Sequence, residues 1–131
     1  MRILLDTHIF LWAITEPERL RENARNLLEN RRNQLYFSAA SSWEISIKAG
    51  IGKLPLIEPP DRYIEAKMIE LRAKPLEITH EHTYAVYKLP SHHKDPFDRL
   101  LIATAIVENL NLMSADEKFH NYDINLIWGK E

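Results

Sequence analysis

Alternation is the feature that most restricts this chain. Short apolar runs of strand length recur between longer segments whose apolar residues follow helical spacing. Arg2-Ile3-Leu4-Leu5 opens the chain and stops at Asp6; Gln34-Leu35-Tyr36-Phe37, a weak run at Leu76 and Ile78, Asn111-Leu112-Met113 and Ile124–Trp128 follow. The spacing predicts helices over His8–Ile14, from Arg19 (Leu20, Ala24, Leu27, Leu28), over Ala39–Ala49 before Gly50 and Gly52, over Asp61–Ala73, from a Thr79 cap to about Lys88, over Phe97–Val107, and a short one at Glu117–His120. Strands that alternate with helices need crossover connections, so the expected fold is α/β with a mainly parallel central sheet flanked by helices. At 131 residues, with no internal repeat, one domain over 1–131 is expected.

Composition narrows the function classes. Lys and Arg total 17 against 19 Asp and Glu, so the chain is no strongly basic nucleic-acid glove, although a local basic patch is allowed. The absence of cysteine excludes a disulfide framework, a Cys-ligated zinc or iron–sulfur site and a thiol nucleophile. The opening apolar run is too short for a signal-peptide core and no stretch approaches a membrane span, which predicts a soluble, cytoplasmic domain with no membrane partner.

Four acids hold equivalent places in the alternation. Asp6 ends the first run, Glu44 and Asp98 fall in the first turns of the helices predicted at Ala39 and Phe97, and Asp116 follows Asn111–Met113. In an open parallel sheet, the carboxyl ends of the strands form the ligand-binding edge, so such acids can meet in one cleft. Each has a plainer explanation as well. Ser41 and Glu44 fit a capping box, Asp95-Pro96-Phe97-Asp98 fits a cap followed by Pro at the first helical position, and Asp116 fits a cap. Asp6 is harder to explain that way, because an acid closing a buried strand is costly unless it is paired or bound. A shared cleft of carboxylates demands a cation. With oxygen ligands and no convincing histidine spacing, the donor set selects Mg²⁺, or Mn²⁺, over zinc, and that chemistry suits metal-assisted hydrolysis of a phosphodiester.

The ordered set Leu4-Leu5-Asp6-Thr7-His8, Ser42-Trp43-Glu44-Ile45-Ser46-Ile47-Lys48, Gly52-Lys53-Leu54-Pro55, His93-Lys94-Asp95-Pro96-Phe97-Asp98-Arg99-Leu100-Leu101-Ile102-Ala103 and Ser114-Ala115-Asp116 resembles the PIN domain, and within it the VapC-type toxins of type II toxin–antitoxin systems. The resemblance runs from Asp6 to the final strand. It implies a three-layer sandwich and a Mg²⁺-dependent endoribonuclease that cuts single-stranded or loop RNA, leaving a 5′-phosphate and a 3′-hydroxyl. By the same resemblance Asp6 and Asp98 are direct metal ligands. Glu44 and Asp116 hold a second ion, orient water or assist proton transfer, and Thr7 and Ser114 are the small hydroxyl residues lining the site. Asp95 precedes Pro96 and is pushed out of helical geometry, which favours Asp98 as ligand and Asp95 as cap. The implied partners are RNA, a cognate antitoxin whose tail enters the acidic groove, and a second copy in a homodimer or a toxin–antitoxin hetero-oligomer.

Other residues carry weaker signals. Arg19, Arg21, Arg25, Arg31 and Arg32 either track an RNA backbone or form a solvated helix face. Arg99 and Lys48 adjoin the proposed site and are phosphate candidates, Lys48 being also an i,i+4 partner of Glu44. The six histidines show no ligand spacing, and His92-His93 reads as loop. Trp12, Trp43 and Trp128 are core, interface or base-stacking residues, and Trp12 and the Tyr63–Leu71 face are candidate subunit contacts. A catalytically inactive PIN-like RNA- or protein-binding module is the alternative function; retention of all four acids weighs against it. A haloacid-type phosphatase would want an Asp where His8 stands, and Asp6 comes too early for a phosphoaspartate receiver.

Overall fold

Ile3, Leu4 and Leu5 are all fully buried in the computed structural model, which describes residues 1–131. Successive side chains of a strand point to opposite faces, so burial of three in a row requires cover on both sides of the first strand. Ile3 and Leu5 pack with Ile9, Phe10, Leu35, Phe37, Ile45, Tyr63 and Met113 on one face, whereas Leu4 packs with Leu101, Ile102, Ala105, Leu112 and Phe119 on the other. Helices thus sandwich the sheet, as expected of a three-layer α/β fold.

The five strands are β1 (Arg2–Leu5), β2 (Gln34–Ser38), β3 (Ala73–Leu76), β4 (Asn111–Ser114) and β5 (Asn125–Trp128). All pair in parallel, in the order β3-β2-β1-β4-β5. The helices are α1 (Thr7–Thr15), α2 (Glu22–Glu29), α3 (Ala39–Gly50), α4 (Pro60–Leu71), α5 (His80–Ala85) and α6 (Pro96–Glu108). The chain builds outward from β1 to β3 and then returns to the other side of β1, so the strand order reverses between β1 and β4. A ligand crevice belongs outside the carboxyl ends of strands at that reversal.

Three expectations are corrected. The third strand begins at Ala73, inside the segment read as helix, because Arg72 adopts a left-handed conformation (φ 59°) that ends α4. Pro75 sits within this strand without breaking the sheet because β3 is an edge strand. The Ser41–Glu44 capping box does not form: Ser38 is the cap, accepting the Ala40 N–H, and Glu44 lies in the second turn of α3. The helix expected from Arg19 starts only at Glu22, and Leu20 instead bridges to Lys130. Asp95, Thr79 and Asp116 do cap the elements that follow them.

The basic stretch is largely structural. Arg19 stacks on half-buried Trp12, its guanidinium 4.1 Å from the ring centre, and Arg25 donates to the Pro17 and Leu20 carbonyls. Arg31 and Arg32 stand in the turn before β2, at the amino ends of the strands. Tyr63 and Ile64 join the core, so the Tyr63–Leu71 face packs inward rather than standing free for a second subunit. Central burial on one strand predicts the cost of hollowing it: Leu112→Ala should lower stability by about 2–5 kcal/mol in urea unfolding, while Tyr87→Ala, at a residue 93% exposed, should stay within about 0.5 kcal/mol of the parent.

Candidate metal centre

The carboxyl edge of the sheet carries a cavity of about 180 Å³ lined by Asp6, Thr7, His8, Glu44, Lys48, His93, Asp95, Asp98 and Asp116. Asp6 reaches it as the residue after β1 and the cap of α1. Glu44 comes from α3, Asp95 and Asp98 from the start of α6, and Asp116 from just past β4. All four acids singled out in the sequence therefore meet, together with Asp95. A larger cleft of about 450 Å³ at the opposite end of β2 mixes Arg25, Arg31 and Arg72 with Glu29 and Glu70 and gathers no such set of ligands.

Hydrogen-bond donors fix the orientation of most of these carboxylates. Asp6 is buried; its Oδ1 accepts the Ile9 N–H at 2.8 Å, and its Oδ2 accepts the Ser114 hydroxyl at 2.6 Å and the Ala115 N–H at 3.3 Å. Ser114 ends β4, the strand beside β1, so its contact ties the two strand ends on either side of the reversal. Glu44 is equally buried and is held by the Thr7 hydroxyl at 2.6 Å and Lys48 Nζ at 2.7 Å. Asp95 Oδ1 accepts the N–H groups of Phe97 and Asp98, as its cap geometry requires. Asp116 accepts the Lys118 N–H at 2.9 Å through Oδ1 and His93 Nε2 at 2.9 Å through Oδ2.

Asp98 differs. The only polar group that its carboxylate meets is His93 Nε2, 2.9 Å from Oδ2. Burial, followed by the charges of Asp95, Asp6, Glu44 and Asp116, pushes its carboxyl up to about 8. Burial also raises Asp6, against the opposing pull of the Ser114 hydroxyl and the Ile9 N–H. At Asp116 the effect of burial is outweighed by the Lys118 N–H and by His93, and its carboxyl falls below the usual range. Lys48 is raised, chiefly by its hydrogen bond to Glu44. A buried carboxyl with four further acids around it is disfavoured as a free anion. A divalent cation is the natural substitute for its proton, and the oxygen-rich donor set fits a hard ion such as Mg²⁺ or Mn²⁺.

Two expectations about individual residues change. Arg99 turns away from the cavity: its guanidinium donates to the carbonyls of Pro90 (2.8 Å), Val86 (3.2 Å), His93 (3.3 Å) and Leu89 (3.4 Å). It ties down the loop before α6 rather than facing a substrate. His93, read as loop, is buried in the centre, with Nε2, Asp98 and Asp116 forming a group whose candidate ligand atoms lie within 4.8 Å of one another. Its signal in the sequence was position: a residue two places before a helix cap stands at the mouth of that helix. Lys48 takes the i,i+4 role with Glu44. Trp43, beside Glu44, is 61% exposed and meets Phe97 edge-on at 5.0 Å.

The chain matches the model of the PIN domain over residues 3–125, and it belongs to that family. It is 29% identical to ribonuclease VapC22 of Mycobacterium tuberculosis over 121 residues, covering 92% of this chain and 91% of that protein. It is 41% identical to ribonuclease VapC16 of the same organism over 59 residues, 45% of this chain and 42% of that protein, so that match spans less than half of the relative. Among solved structures, the fold resembles a chain of VapBC2 from Rickettsia felis bound to a DNA fragment from its promoter (TM-score 0.70, 23% identity, 97% and 96% of the two chains). It also resembles one of VapBC-1 from nontypeable Haemophilus influenzae (TM-score 0.68, 16% identity, 97% of each chain). At these identities the structures establish the fold.

The electrostatics of Asp98 set a pH dependence. In the folded chain it keeps its proton up to about pH 8, whereas an ordinary Asp releases it above 3.8. Protons therefore favour the folded state between those values, and the contribution is lost as pH rises through about 8. Melts in EDTA should show stability falling from pH 5 to pH 8, with the decline reduced in Asp98→Asn; an unchanged slope in that variant would contradict the assignment.

Proposed function

We propose that this chain is a Mg²⁺-dependent endoribonuclease, with Mn²⁺ as a competent substitute, acting as the toxin of a type II toxin–antitoxin system. The observation that carries the reading is the convergence of Asp6, Glu44, Asp98 and Asp116 from four separate segments on one small cavity. Capping alone accounts for Asp95 and Asp116 but not for Glu44, a buried acid in the second turn of a helix. Family membership supports the same reading, as do the names of the relatives, VapC ribonucleases. That several solved neighbours are VapBC or other toxin–antitoxin complexes supports an antitoxin as partner and a hetero-oligomer as the resting form. No helix is long and apolar enough to cross a membrane.

In this reading Asp6 and Asp98 hold the ion directly, and Glu44 and Asp116 take a second ion or orient water. The ion supplies Lewis acidity toward the phosphate and an activated water for hydrolysis. The residues of the chain prepare that chemistry. Ser114 and the Ile9 N–H fix both oxygens of Asp6, and Thr7 and Lys48 fix those of Glu44, so little reorganisation is needed when the substrate arrives. Lys48, 43% exposed at the side chain, adds positive charge at the rim where a phosphodiester approaches. Trp43 offers an exposed ring beside the cavity, suited to stacking on an unpaired base.

Incubation with mixed cellular RNA tests the reading. Cleavage should appear with Mg²⁺, vanish with EDTA, and fall by at least about a hundredfold, some 2.7 kcal/mol of barrier, in Asp98→Asn. That variant is nearly isosteric and neutral, like the protonated Asp98 it replaces, so it should melt close to the parent temperature below about pH 8 and above it at higher pH. RNA bound without cleavage by the parent chain would favour the inactive binding module instead.

A further inference from the structure

His93 and the two acids beside it look at first like a metal tripod: Nε2 lies 2.9 Å from Oδ2 of both Asp98 and Asp116. The other ring nitrogen argues otherwise. Nδ1 accepts the backbone N–H of Asp95 at 3.2 Å. A ring nitrogen that faces an N–H must present its lone pair, so in the neutral imidazole the single ring proton sits on Nε2. Nε2 then points an N–H at the carboxylates and has no lone pair to offer a cation. To ligate, the ring would have to move its proton to Nδ1, giving up the Asp95 contact and setting two donors against each other.

We propose that His93 is a positioning residue rather than a ligand: its Nε2–H is hydrogen-bonded to Asp116 Oδ2 and stands 2.9 Å from Asp98 Oδ2, orienting Asp116 directly and seating Asp98 beside it while their remaining lone pairs are left for a cation. The surroundings hold the ring in place for this task. The side chain is only 7% exposed. Its backbone N–H donates to the Tyr122 hydroxyl at 2.8 Å, that hydroxyl donates to the Pro90 carbonyl, and Arg99 binds the His93 and Pro90 carbonyls. Arg99 and Tyr122 thereby act on the centre at one remove, through the loop that carries His93. The hydrogen bond itself runs to Asp116, and Asp98 Oδ2, 2.9 Å from the same nitrogen, has the ring as its one polar neighbour of opposite character. Without His93, the facing oxygens of Asp98 and Asp116 would have only water between them. Outer partners that orient ligating carboxylates typically change metal affinity 10–100-fold when removed.

The inference about affinity rests on the metal-nuclease reading; the inference about the tautomer does not. Three measurements test them, with Mn²⁺ as the probe. The ¹⁵N spectrum of the metal-free parent should show the His93 ring protonated on Nε2 and bare on Nδ1; the reverse tautomer overturns the proposal. Pulsed EPR of the Mn²⁺-loaded parent should show no directly coordinated nitrogen from His93. A coordinated ¹⁴N that disappears in His93→Gln makes it a ligand and overturns the proposal. Mn²⁺ affinity should fall about 10–100-fold in His93→Ala and be largely recovered in His93→Gln, which restores an N–H of similar reach. Equal affinity in all three chains, with circular dichroism showing them folded, overturns the positioning role. If the parent itself binds no Mn²⁺, the metal-nuclease reading fails, while the ¹⁵N spectrum still decides the tautomer.

Discussion

The repulsion among five carboxylates at one end of the sheet is the constraint around which the centre is organised. Asp6, Glu44, Asp95, Asp98 and Asp116 share one small cavity, and burial, reinforced by the charges of the other four, pushes the Asp98 carboxyl up to about 8. A protein that crowds charge in this way needs donors to orient the acids and a cation to neutralise them. The donors are present: two hydroxyls, one lysine, one imidazole and a set of backbone N–H groups. Each acid keeps acceptor capacity beyond these bonds, since a carboxylate has about four lone-pair sites.

The sheet order is what makes the crowding possible. β1 is central, and both of its faces are covered, so the residue that follows it emerges at the middle of the carboxyl edge. The reversal between β1 and β4 opens a crevice there, and the Ser114–Asp6 hydrogen bond spans it. α3 and α6 then start from the same edge and bring in Glu44, Asp95 and Asp98. Arg99 and Tyr122 complete the wall by holding the loop that delivers His93. Core packing and site geometry are therefore linked through β1, whose side chains stabilise both layers and whose end supplies the central acid.

Much of this was legible in the residues. The apolar run ending at Asp6, the Asp-Pro start of α6 and the Thr79 cap each carry their own local physics, and the elements form where that physics puts them. The failures share a cause, which is tertiary context. Ala73–Leu76 reads as a helix end followed by a weak strand because its burial pattern is irregular, and only pairing with β2 makes it a strand from Ala73 on. Ser41 and Glu44 have capping-box spacing, but Ser38 caps α3 three residues earlier. His93 has no ligand spacing, since its partners lie 5 and 23 residues away and meet it only through the fold. Arg99 looks like a phosphate contact from its neighbours in sequence; its direction along α6 and the carbonyls of the preceding loop assign it elsewhere. The near-balanced net charge of −2 also changes meaning, because several of the acids are concentrated in one pocket where a bound cation would offset them.

The central claim is that these acids converge to hold a divalent cation. Anomalous diffraction from a crystal soaked in Mn²⁺ tests it most directly. The account predicts a manganese peak in the cavity within coordination distance of Asp6 and Asp98, and no nitrogen of His93 in the coordination sphere. A cavity without manganese, in a crystal whose acids keep the arrangement described, would contradict it.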